Sequence, residues 1–473
     1  MTRVLVITTE PLPFRGMPTT GAGLRAWGLM QGLRSAGLNT DIAMPMDACA
    51  GKIITDPAFD AERNLFSRDR LTEFVRGRNP DVLVFQHWGL MRELKEATCP
   101  IALDLAGPHL LERHYWRGED QADEDKAAFG TESELDLAEK INALQRADFV
   151  TCSGRMQRLY FMPFLSMAGY RMTENILPVI PFSVSPDLPE SRPPLFIEMR
   201  FIYGGMFLPW QNPESTLTTL LNTFEERAQG MLEFFGGIHP SADVSRGRFD
   251  SLVARLSDHP HVRHYGIMPL DELCREYARG GVALDLMERN PERELAFTTR
   301  TVVYLSCGLP VIHNNFSELS DYIRDYNAGW TLDPRDRDGL KKLIHRIMDG
   351  DEDLTSKREN ARRLVQTEFN WEKTIEPLAA FCSNPRHRRG KTGAMIAQAN
   401  RALRIRDLEE EAEKAQSELL KIKGKLMFRL YNRAGLWKAL VAPIIILILA
   451  PLCLLLALVM LAGNIGGGKK RKS

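Results

Sequence analysis

Short runs of apolar, largely β-branched residues, each followed by a stretch with helical periodicity, recur twice along this chain of 473 residues. Val4-Leu-Val-Ile-Thr, Thr40-Asp-Ile-Ala, Asp81-Val-Leu-Val-Phe, Ile101-Ala-Leu-Asp-Leu and Phe149-Val-Thr-Cys form the first series. Arg200-Phe-Ile-Tyr-Gly-Gly, Leu232-Glu-Phe-Phe-Gly-Gly, Val282-Ala-Leu-Asp-Leu and Pro310-Val-Ile-His form the second. A strand that is apolar on both faces must be covered on both faces, and strands alternating with helices give a doubly wound parallel sheet. Between the two series the chain is punctuated by Pro181, Pro186, Pro189, Pro193 and Pro194, which marks a linker. The expectation is therefore an α/β chain with two Rossmann-like domains, residues 1–180 and 197–385, joined by linker 181–196. A helix over 24–35 ends at Gly37, another lies near 135–146, and a last one spans 372–381, with Pro377 kinking it or marking its true start.

Beyond residue 385 the composition changes. Ile405, Leu408, Ala412, Ala415, Leu419, Ile422 and Leu426 alternate spacings of three and four, as in a coiled coil or a single amphipathic helix over 394–430. Residues 439–462 contain no charged side chain, long enough for a transmembrane segment. Pro443 and Pro451 leave a re-entrant hairpin open. Basic residues flank both sides, with more upstream, which favours the large N-terminal part on the inside. The N-terminus enters a strand at once with no signal-peptide apolar region, and the seven cysteines are scattered, with no C-x-x-C. These features predict a location on the cytoplasmic face of the cell membrane. Lys plus Arg equals Asp plus Glu, 61 each, which argues against nucleic acid as a partner.

Three segments carry candidate chemistry. Thr19-Thr-Gly21-Ala-Gly23-Leu-Arg25-Ala-Trp lies between a strand and a helix, where glycines admit a ligand and the helix N-terminus favours an anion. It lacks G-x-G-x-x-G, so a dinucleotide fold is disfavoured; Arg25 faces a phosphate or solvates the helix. In Gly204-Gly205-Met-Phe-Leu-Pro-Trp210, the turn after a strand brings Gly204 and Gly205 to where a diphosphate would pass, and Trp210 stacks on sugar or base, or is core. In the third, running from Glu294 to Val311, a carboxylate and Arg300 precede an apolar helix and a Gly-Leu-Pro turn. A helix N-terminus, a carboxylate for hydroxyls and a guanidinium for phosphate suit a sugar attached to a diphosphate. Glu292 competes with Glu294 for the carboxylate role. Asp104 and His109 follow a strand end, where either can position or deprotonate an acceptor hydroxyl. The D-x-D strings at Asp336–Asp338 and Asp349–Asp351 flank a helix and read as caps, so no metal is expected.

The segment Glu294–Val311 resembles the donor-site signature of GT-B glycosyltransferases close to family 4, in which Glu, Phe and an apolar helix precede a G-x-P-V-I turn. The 19–27 loop and the Gly204–Pro213 string are similar to elements of the same group, and the resemblance spans about residues 1–380. It implies a retaining glycosyltransferase that uses a nucleotide-sugar as substrate and no cofactor. Phe297 and Thr301 would join Glu294 and Arg300 in the donor site. The chain departs from the pattern at Val303, where the family places a second acid, so the ribose clamp is either absent or supplied elsewhere, with Glu318 the candidate, and the usual Arg and Lys after the glycine pair are missing. With the C-terminal segments, the implied acceptor is lipid-linked or membrane-proximal, in cell-envelope glycan synthesis, with homo-oligomers through the heptad helix. A sugar-nucleotide epimerase and a catalytically silent GT-B scaffold are the alternatives.

Overall fold

The structure is a computed structural model that describes residues 1–49, 54, 56, 59–117, 123–173, 175–190, 199–237, 248–388, 395–433 and 446–451. The chain divides into two compact units, Met1–Ala402 and Leu403–Ser473. The larger unit holds two parallel six-stranded sheets. In the first, β1 (Arg3–Ile7), β2 (Asn39–Pro45), β3 (Leu65–Phe66), β4 (Val82–Phe85), β5 (Ile101–Leu105) and β6 (Phe149–Cys152) lie in the order β3-β2-β1-β4-β5-β6. In the second, β7 (Arg200–Met206), β8 (Met231–Gly237), β9 (Val262–His264), β10 (Val282–Asp285), β11 (Val311–Asn314) and β12 (Gly329–Leu332) lie in the order β12-β11-β10-β7-β8-β9. Counted from its own first strand, each sheet has the same topology. The strand order reverses between β1 and β4 in one sheet and between β7 and β10 in the other. At such a switch point the loops diverge to opposite faces and leave a crevice beyond the carboxyl ends of the strands.

The central strands are buried along nearly their whole length, as continuous apolar runs require. Three strands were not anticipated from the sequence: β3, β9 and β12. All are sheet edges, short or only half-buried, and so lack a continuous apolar run. Nine helices matter for the site and its surroundings: α1 (Gly21–Ser35), α2 (His109–Arg117), α3 (Asp123–Arg146), α4 (Arg155–Met167), α5 (Pro291–Leu295), α6 (Thr299–Ser306), α7 (Glu318–Asp325), α8 (Glu376–Ser383) and α9 (Met395–Arg433). Helix α1 starts three residues before the expected Leu24, because the Thr20 hydroxyl caps it by accepting from Gly23 N.

The expected last helix is divided: Trp371–Thr374 forms one turn, and α8 begins at Glu376 with Pro377 in its first turn, where proline is tolerated. Ile375, Leu378, Ala379 and Cys382 join the core of the first lobe, and Phe381 stacks on Phe149 at 4.7 Å. The chain thus returns from the second lobe to the first. The two crossings run side by side: Val184 N donates to Phe369 O, and Trp371 N donates to Val184 O. The smaller unit contains most of α9, a single 39-residue helix on which Ile405, Leu408, Leu419 and Ile422 are all exposed. Among the described residues no helix is long and apolar enough to cross a membrane. The segment expected to do so, 439–462, lies outside the described residues except for 446–451, which are helical.

Candidate active site

The loops at both switch points face each other between the lobes. On the first lobe Thr8, just past β1, donates to Gln86, just past β4, and ties the two strand ends together (3.1 Å). Thr20 caps α1 and donates to Glu10 (2.9 Å), which fixes the glycine loop. At Gly21 a Cβ would stand 2.5 Å from Thr299 Oγ1 of the second lobe, so only glycine lets the N-termini of α1 and α6 meet this closely. Gly23 lies against the Pro11 carbonyl in the same loop.

Two expected site residues are taken up inside the first lobe. Arg25 and Asp104 form a bidentate pair, both bonds 2.8 Å, with the side chains 4% and 1% exposed. Asp104 also accepts from Thr151 at 2.7 Å. This corrects the assignment of Arg25 to a phosphate and of Asp104 to an acceptor hydroxyl: the fork of the guanidinium is filled by the carboxylate, and neither is open to a ligand. His109 is different. It opens α2 and its Nδ1 lies 2.7 Å from Glu112 Oε2, while Nε2 is buried with no hydrogen-bond partner among the described residues. Burial opposes charge on the ring, but Glu112 outweighs it and raises the His109 pKa. The neighbouring His87 ring meets His109 edge-on at 4.5 Å, and burial followed by the His109 charge holds His87 well below its ordinary value.

On the second lobe, Gly204 is clasped by Tyr304, whose hydroxyl accepts from Gly204 N at 2.6 Å. Gly205 has φ +124° and leaves room for Arg300, whose Nη2 would lie 2.5 Å from a Cβ there. Arg300 donates to Tyr203 (3.2 Å) and Gln211 (2.9 Å), approaches Asp285 at 3.5 Å and lies over the Tyr203 ring. The guanidinium is thus packed beneath the glycine turn. Asp285, at the end of β10, accepts from Thr298 (2.9 Å) and Thr301 (2.5 Å) and faces His313 at 3.4 Å. Thr301, expected in the donor site, is fully buried and turned toward Asp285 instead. Phe297 is likewise buried, edge-on to Phe369 at 5.4 Å, so it packs the core. The Trp210 carbonyl accepts from Asn290 at 3.0 Å and ties the turn to the loop before α5.

The two acids of α5 diverge. Glu294 is on the outside, 39% exposed and held by Arg289 at 2.6 Å, whereas Glu292 is buried and paired with Arg293. Burial raises the Glu292 pKa against the pull of Arg293, and Glu112 and His109 of the first lobe are near enough to act on its charge. Glu318 is not a free ribose acceptor. Its carboxylate crosses to the first lobe and accepts from Arg155 Nε and Met156 N, both at 3.2 Å, and so covers the N-terminus of α4. Glu112, Asp285 and Arg293 were missed by the sequence reading. A carboxylate three residues after His109 on a helix, and an acid ending an apolar strand, were the signals available. Asp336 caps the helix Arg337–Asp349, as its position before that helix implied. Among the described residues no three His, Cys, Asp or Glu side chains are grouped to hold a metal ion.

No family profile matches the sequence, and no curated protein matches it. Solved structures do match by shape. Sucrose-phosphate synthase from Thermosynechococcus elongatus is 18% identical, with a TM-score of 0.57, covering 80% of this chain and 98% of its own. HepE from Anabaena, solved with UDP-glucose, is 14% identical, with a TM-score of 0.57, covering 81% and 100%. An α-glucosyltransferase solved with UDP and a 13-mer DNA containing an HMU base is 10% identical, with a TM-score of 0.53, covering 81% and 99%. With its two like-wound parallel sheets and a last helix returning to the first lobe, this chain has the GT-B fold of these glycosyltransferases.

Proposed function

We propose that this chain is a glycosyltransferase, family 4-like, that moves a sugar from a nucleotide-sugar to an acceptor hydroxyl. The observation that carries the reading is the N-terminus of α6. Its cap residue Thr298 makes no side-chain cap bond, and the helix starts beside Arg300 and opposite Gly21 of the other lobe. Unpaired N–H groups at a helix start attract an anion, and donors aimed at a leaving diphosphate stabilise the charge it develops. Arg300 supplies the positive field from below the Gly205 turn. Sugar hydroxyls would meet His109–Glu112 from the first lobe and Glu292–Arg293 from the second. The nucleotides bound by HepE and the α-glucosyltransferase support this reading.

The finer parts of the proposal rest on the sequence. Retention of configuration follows from the family 4 resemblance, and no metal is required. The uncharged segment 439–462 and its basic flanks support attachment to the cytoplasmic face of a membrane and a lipid-linked acceptor for cell-envelope glycan. The exposed apolar residues of α9 support a homo-oligomer through that helix. Val303 in place of the second acid is the observation that favours a silent scaffold instead. Thermal protection of the full chain by UDP-, GDP-, ADP- and dTDP-sugars distinguishes them. A specific shift, reduced in Arg300→Lys, supports the transferase and names the base. A folded chain that no nucleotide shifts defeats the transferase reading in favour of the scaffold.

A further inference from the structure

Helix α9 carries an apolar stripe that nothing among the described residues covers. Ile405, Leu408, Leu419 and Ile422 are 56%, 47%, 51% and 62% exposed, and residues 407–425 are exposed without a break. The 39-residue helix is about 58 Å long, and an isolated helix has little stability in water without a face to bury. From Ile405 to Leu426 the stripe keeps strictly alternating spacings of three and four. A straight helix drifts ~20° per heptad against that repeat, so the stripe stays on its partner over three heptads only when two helices supercoil.

The charges beside the stripe decide which partner fits. With Ile405 and Leu408 as the first a and d positions, the flanking g and e positions are Arg404, Glu409, Glu411, Gln416, Glu418, Lys423 and Lys425, all exposed. In a second copy laid parallel and in register, each g residue meets the e residue of the next heptad. Arg404 then meets Glu409, Glu418 meets Lys423, and Glu411 meets the neutral Gln416, each twice by symmetry. No like charges face each other. Laid antiparallel with every apolar layer matched, Ile405 against Ile422, the same helix sets Glu411 against Glu418 and Arg404 against Lys425. Sliding that arrangement by one heptad relieves the clash but puts Ile405 against Arg429 and Glu418 against itself. Ala412 and Ala415 make two small layers in mid-seam, so the charge pairs weigh more in the choice than they would beside an all-Leu seam. The uncharged segment 439–462 favours the same arrangement: a parallel pair brings both copies of it to one end, where one bilayer receives them, and an antiparallel pair sends them apart.

We propose that α9 pairs with α9 of a second copy of this chain as a parallel, in-register two-stranded coiled coil over residues 405–426, its direction set by the Arg404–Glu409 and Glu418–Lys423 pairs. The pairing rests on the homo-oligomer reading and gives it a direction and a register. Sedimentation of the full chain in neutral detergent at micromolar concentration shows a dimer. Lys423→Glu sets Glu418 against an acid on the second copy and raises the dimer dissociation constant by roughly tenfold. Glu418→Lys/Lys423→Glu, which swaps the pair, returns it toward wild type. Oxidised glutathione cross-links Leu408→Cys to itself and Leu419→Cys to itself, and a mixture of the two gives no 408–419 product; wild type, with its native cysteines, is the blank. All the substituted side chains are exposed, so melting of the larger unit stays as in wild type. A 408–419 product, or a dimer that Lys423→Glu does not weaken, overturns the proposal and leaves the homo-oligomer reading standing, with the copies held antiparallel or through other residues. A wild-type monomer overturns both. Protection by nucleotide-sugars is read separately and bears only on the transferase reading.

Discussion

Breaking the Arg25–Asp104 pair separates a structural role from a catalytic one. Both side chains are almost fully buried, two 2.8 Å bonds join them, and among the described residues Thr151 supplies the only other bond to the carboxylate. Asp104→Ala leaves a guanidinium in the core with no counter-charge, and Arg25→Met leaves a carboxylate held by one hydroxyl. Each single change should lower the stability of the first lobe by about 3–5 kcal/mol. For a cooperative unit of this size, at ~2–4 °C per kcal/mol, the corresponding transition falls by about 6–20 °C. The double variant Arg25→Met/Asp104→Ala removes both charges and regains most of the second loss, giving a coupling of about 3 kcal/mol or more in a double-mutant cycle. Scanning calorimetry of the four proteins measures it. Single variants that melt like wild type, with an additive cycle and abolished transfer, would refute the reasoning and return Asp104 to the reaction.

Glu318→Ala exposes the N-terminus of α4 and should lower stability by about 1–2 kcal/mol in urea unfolding; the bond to the well-exposed Arg155 adds little of this. Nucleotide protection should be retained in Glu318→Gln, and its loss would restore the ribose role. Arg300→Ala strips contacts from Tyr203, Gln211 and Asp285 together, so the second lobe should lose about 3–5 kcal/mol. Arg300→Lys, which keeps the charge but not the fork, should fall between that variant and wild type. At Asp285 burial disfavours the charge, but His313, Arg300 and Thr301 outweigh it and hold the carboxyl far below its usual value. A carboxyl lowered in the folded state contributes stability that is present above its unfolded value and lost as pH falls toward the folded one. Asp285→Asn should therefore melt well below wild type at pH 7, and the gap should narrow below about pH 4.

The sequence by itself determined the two doubly wound sheets and the loops that meet between them. A strand buried on both faces writes a continuous apolar run, as Val82–Phe85 and Ile101–Leu105 do, and the glycines at 21 and 205 mark where backbone and side chains crowd. Edge strands such as β9 write no such run and were not legible. What faces the cleft was decided only by the tertiary structure. Arg25 and Asp104 are 79 positions apart, and Arg155 and Glu318 are 163 apart, so their pairing depends on sheet order and on how closely the lobes approach. Thr301 and Phe297 turn inward because of where Asp285 and Phe369 lie. Local spacing fixes which face of a helix a residue occupies. Whether that face meets a ligand, a counter-charge or the core depends on contacts between segments far apart in the chain.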